Sequence, residues 1–133
     1  MEYIEKLKIF VSLARVDGEV TEKERQYIIN VGQANHLLIA EILPLFSSEH
    51  PMVVPNDMTQ EQKFEYILHL VQLMKIDDKL YREEIKYCAQ VAARLGYQEE
   101  VLFELMLSVK NTVMDSNEVE TLRKLTARYL RAQ

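Results

Sequence analysis

The sequence predicts an all-α fold, a single compact helical domain of about seven helices built on an internal repeat of three-helix units. Apolar residues recur at helical spacing along nearly the whole chain, and only three glycines and three prolines interrupt its 133 residues. The segment Ala14-Arg15-Val16-Asp17-Gly18-Glu19-Val20, with Glu24 following, is answered sixty residues later by Met74-Lys75-Ile76-Asp77-Asp78-Lys79-Leu80 with Glu84. The same offset relates Val11 to Val71, Leu13 to Leu73, Tyr27 to Tyr87 and Val31 to Val91. One helical hairpin cannot close a core alone, so the two copies are expected to pack on each other. The repeat units are placed at about 4–46 and 64–106, with a C-terminal helix at about 117–131.

The elements follow in order. Ile4, Leu7, Val11 and Ala14 describe the inner face of a helix from Glu2 to Arg15, which Asp17-Gly18 interrupts. Thr21 and Glu24 form a capping box for a second helix, Glu22 to Ala34, with Ile28 and Val31 inward. Asn35-His36 breaks that pattern, with the His36 ring placed to cap a carbonyl. Leu37, Leu38, Ile42, Leu45 and Phe46 then predict a third, strongly apolar helix. The connector 47–58 carries Pro51 and Pro55, and its Met52-Val53-Val54 is expected to lie over a core edge. A joining role is preferred to that of a lid over the acidic turns.

Asp57 or Thr59 caps the fourth helix, with Gln60 or Gln62 completing the box. Phe64, Ile67, Leu68, Val71 and Met74 form its inner face, and it is expected to stop near Asp77. The fifth helix, Arg82 to Leu95, turns Ile85, Cys88, Ala92 and Leu95 inward, which makes Cys88 a small core residue. Gly96 ends it. A sixth helix spans Gln98 to Lys110 on Val101, Leu102, Leu105, Met106 and Val109. Asp115-Ser116-Asn117 opens a seventh, packed through Val119, Leu122, Leu125, Tyr129 and Leu130.

Charge and composition narrow the function. The formal net charge is −5, and there is no basic stripe set with aromatics, so nucleic acid is excluded as an expected partner. The single cysteine suits a reducing compartment. The start of the chain is amphipathic and of mixed charge, unlike a signal peptide, and no apolar run predicts membrane insertion. A cytoplasmic protein is expected. Neither a metal-hydrolase HExxH, nor a phosphate-cradling glycine loop, nor a Ser-His-Asp arrangement is apparent, so an enzyme is the least favoured class.

The acidic turns are what remains. Asp17, Glu24, Asp77 and Glu84 are the candidate metal ligands, since converging carboxylates suit calcium, magnesium or manganese. Aligned on a calcium-binding EF-hand loop, the turns place Leu13 and Arg15, and Leu73 and Lys75, where oxygen ligands are required; a standard EF-hand is not expected. Helix termination is the competing account. Thr21 explains Glu24 as a capping residue, whereas Tyr81, at the matching position, explains Glu84 poorly. His69, two turns before Asp77, is weighed as an accessory ligand and disfavoured for lack of a companion at ligand spacing.

On Ala14-Arg15-Val16-Asp17-Gly18-Glu19-Val20 with Glu24, and on the second copy around Asp77 and Glu84, the chain resembles the tellurite-resistance TerB-like family. Relatives of that family include the N-terminal domain of a membrane-anchored J-domain co-chaperone. The resemblance covers about Glu2 to Tyr129. It implies an all-helical fold, acidic residues of two hairpins gathered near one another at Asp17, Glu24, Asp77 and Glu84, and an association with metal or tellurite stress. Asp78-Lys79 departs from Gly18-Glu19. The expected function is non-enzymatic divalent-cation binding, with calcium favoured over magnesium or manganese. The alternative is a helical protein-protein interaction module in a stress-response assembly, its acidic turns purely structural.

Overall fold

The computed structural model describes residues 3–16, 18–55, 57–76, 82–109 and 114–130. Among these the chain forms helices α1 (Tyr3–Arg15), α2 (Glu22–Ala34), α3 (Ile39–Ile42), α4 (Gln60–Met74), α5 (Arg82–Leu95), α6 (Glu100–Ser108) and α7 (Ser116–Ala127), with a 3₁₀ helix at Leu43–Ser47. The described residues form no strand, and none of their helices is long and apolar enough to cross a membrane.

Local chemistry sets the helix starts. The Thr21 hydroxyl accepts from the Glu24 N–H at 3.2 Å while the Glu24 carboxylate accepts from the Thr21 N–H at 2.8 Å. Thr59 with Gln62, and Asp115 with Glu118, make the same reciprocal pair. Each box satisfies amides that the first helical turn leaves without partners. Thr59, rather than Asp57, is therefore the cap of α4.

Four expectations change. The third helix is only one α-turn, because Pro44 at the head of the next turn has no N–H to continue the ladder and tightens the chain into a 3₁₀ helix. Ile42 and Leu45 still reach the core. The sixth helix begins at Glu100 instead of Gln98, and the Gln98 N–H donates to the Tyr129 carbonyl at 2.6 Å. Tyr97 bridges Leu130 beside it, which also ends α7 early. Finally, His36 stops α2 through its backbone. Its φ is 69°, its N–H donates to Gln33 O at 3.1 Å, and the Leu37 N–H reaches Gly32 O at 3.0 Å. That is a Schellman motif, and Gly96 builds the same one at φ 97°, with Tyr97 N–H to Ala92 O at 3.0 Å.

α1 and α4 lie at the centre. Each packs against its own following helix, and each also meets the following helix of the other, α2 on α4 and α5 on α1. Leu7, Phe10, Val11 and Leu13 are buried from α1, as are their counterparts sixty residues on, Ile67, Leu70, Val71 and Leu73. α6 and α7 close the α4 side. Cys88 is buried on the inner face of α5, and its thiol pKa is pushed up by burial and then by Glu84 one turn before it. The connector is strapped down. Arg15 Nη1 donates to Ser48 O at 2.7 Å, the Ser12 hydroxyl to His50 O at 3.2 Å, and Arg94 Nη1 to Met52 O. Met52 and Val54 rest half-buried on the core, while Val53 between them is 52% exposed.

Candidate functional site

Glu24 and Glu84 stand at the same place in their helices, third from the start of α2 and of α5. Both are buried, at 3% and 2% exposure. A carboxylate removed from water must be held by donors, cations or a helix N-terminus, or its burial is strongly unfavourable. Glu24 has the Thr21 amide, and both glutamates are engaged in polar or electrostatic interactions. Asp17 and Asp77 lie outside the described residues. Among those that are described, no three His, Cys, Asp or Glu side chains gather as a metal would need.

The flanks of the first turn are placed. Gly18 takes φ 131°, a conformation that side chains rarely adopt, and its N–H donates to Arg15 O at 3.1 Å. Arg15, Val16 and Gly18 share a cavity of about 450 Å³ with Ser12, His50 and Tyr87. Tyr87 lies three residues beyond Glu84 on α5. The first acidic turn therefore opens onto the helix that carries the second glutamate. The Tyr87 hydroxyl is buried there without a hydrogen bond of good geometry, and burial is the first cause of its raised pKa.

A second polar feature sits where α1 crosses α4. Lys6 is 1% exposed, and its ammonium donates to His69 Nδ1 at 2.9 Å, which fixes the imidazole proton on Nε2. The same ammonium lies over the rings of Tyr3, Phe10 and Tyr66 at 4.9, 5.6 and 5.4 Å, a partial replacement for lost water. Tyr27 donates to Gln72 Oε1 at 2.7 Å, with the His69 carbonyl 3.3 Å away. Burial drives the Lys6 pKa down to about 8, against the smaller opposing pull of Glu65, and drives His69 down to about 3, with Lys6 adding to the fall. His69 is thus a neutral acceptor from Lys6, which leaves no Nδ1 lone pair for a metal.

Sequence reasoning missed Lys6. The signal was its position, three and four residues before Ile9 and Phe10 on the face that α1 buries. Compared with known protein families, curated proteins and solved structures, the chain matches none.

Proposed function

We propose that this protein binds a hard divalent cation through its two acidic turns, with Asp17 and Asp77 as leading ligands and Glu24 and Glu84 in support. The observation that carries the reading is the burial of both repeated glutamates at equivalent helix starts. Bringing like charges together out of water raises carboxylate pKa values unless a cation compensates them. The cavity that joins the Gly18 turn to Tyr87 supports the same reading, as it puts the first turn beside α5. Calcium is favoured over magnesium or manganese, because an irregular oxygen site suits its variable coordination better than an octahedron does. The TerB-like resemblance supports cation binding as well and ties it to metal or tellurite stress.

Calorimetric titration of the metal-free chain with calcium, magnesium and manganese tests it, beside an Asp17→Asn/Asp77→Asn variant. Saturable binding that the variant loses is the expected result. Binding unchanged by both substitutions, or no binding at all, would return the four residues to helix termination.

A second reading has its own observation. Phe103 and Leu107, four residues apart on one face of α6, are 59% and 77% exposed. An apolar face of this kind supports a helical module for a protein partner in a stress-response assembly.

A further inference from the structure

We infer that a second, separate site lies between the start of α4 and the end of α7, and that it takes a small apolar molecule with a carboxylate head. A cavity of about 290 Å³ opens there, walled by Phe64, Tyr97, Ala127 and Leu130. Behind it, Gln98 N–H on Tyr129 O and the Tyr97–Leu130 bridge hold Tyr129 and Leu130 against the α5–α6 turn. This is about twice the roughly 150 Å³ apolar cavity that admits benzene, and it sits at the small end of ligand sites. A ring with a short side chain, or an eight-carbon chain, matches that size.

Two polar groups say what the head must be. Tyr97 is only 1% exposed as a residue and lines the cavity, and its hydroxyl makes no hydrogen bond to another described residue while not being sealed away among the buried unpaired groups. Burial raises its pKa to about 12, so the hydroxyl stays protonated and offers a donor to an acceptor within the cavity. At the mouth, Arg123 Nη2 is held by Glu61 at 3.4 Å and Glu120 at 3.2 Å, a bridge between α7 and α4 that balances its charge. Lys124, beside it on the cavity wall, forms no ion pair among the described residues. An apolar body on Phe64 and Leu130, a head accepting from Tyr97 and a negative charge facing Lys124 describe a medium-chain or aromatic carboxylate.

Nuclear magnetic resonance titration of the whole chain with octanoate, octanol and acetate tests the assignment. Octanoate should give saturable shifts centred on Phe64, Tyr97 and Leu130; acetate should give none there, and octanol should bind more weakly. Tyr97→Phe keeps the shape and should weaken octanoate by roughly 2- to 12-fold, the worth of one hydrogen bond. Ala127→Phe, at an exposed position on the lip, should block the cavity and abolish the shifts while the rest of the spectrum stays native. Octanol binding as tightly as octanoate would overturn the carboxylate assignment. Shifts centred elsewhere, shifts that survive Ala127→Phe, or no saturable shifts with any probe would overturn the site.

Discussion

His69→Gln should flatten the acid side of the stability curve. An imidazole in the unfolded chain titrates near 6.5, whereas the largely buried His69 titrates at about 3, chiefly because burial disfavours its charged form and secondly because Lys6 lies 2.9 Å away. Between those values the unfolded chain binds a proton that the folded chain refuses, so stability falls as the pH falls. The contribution is complete above 6.5 and is lost progressively down through pH 3. Integrated from pH 7 to pH 5, this one residue takes away about 2 kcal/mol. Glutamine removes the titration while keeping an oxygen that accepts from Lys6. Urea denaturation followed by circular dichroism, at pH 7 and pH 5, gives the loss for both proteins. The variant should lose about 2 kcal/mol less than the wild type on acidification. Equal losses would refute the burial of a neutral His69 at the α1–α4 crossing.

Lys6→Met alone strands the His69 nitrogen and should cost about 1–3 kcal/mol, while Lys6→Met/His69→Leu removes both partners and should sit closer to wild type in the same denaturation assay. His36→Gly should raise stability by about 0.5–1 kcal/mol, since His36 holds φ 69° where glycine meets no Cβ penalty; an unchanged urea midpoint would count against the Schellman assignment. Cys88, buried with its thiol pKa raised, should react with a bulky disulfide reagent only as fast as the chain opens. Reaction of the native protein at the unfolded rate would contradict its place in the core.

Those effects divide by how local their causes are. Helix starts could be read from the sequence because the signal is three residues long: Thr21 with Glu24, Thr59 with Gln62 and Asp115 with Glu118. The inner faces of α4 and α5 followed from periodicity, and Cys88 with them. Pro44 was equally local, yet the apolar run from Leu37 to Phe46 outweighed it, and the 3₁₀ helix was missed. Lys6 was hidden by its charge. Its burial depends on His69 and three aromatic rings, one of them, Tyr66, on α4 with His69, and no local pattern announces a partner sixty-three residues away. The end of the chain was misread for the same reason, since Tyr129 O is taken by Gln98 across α6 and α7. Of the acidic positions, Glu24 and Glu84 each stand third in their helices and are both buried, and no local pattern announces that burial.

The proposed cation site requires the two acidic turns to share one ion. The most direct measurement is a crystal structure of the full chain grown with calcium, with the ion located by its anomalous scattering. The expected result is one ion with carboxylate oxygens of both Asp17 and Asp77 at about 2.3–2.6 Å, and with Glu24 or Glu84 completing the shell. An ion held by only one turn, or turns that stand apart with calcium only on surface carboxylates elsewhere, would contradict it.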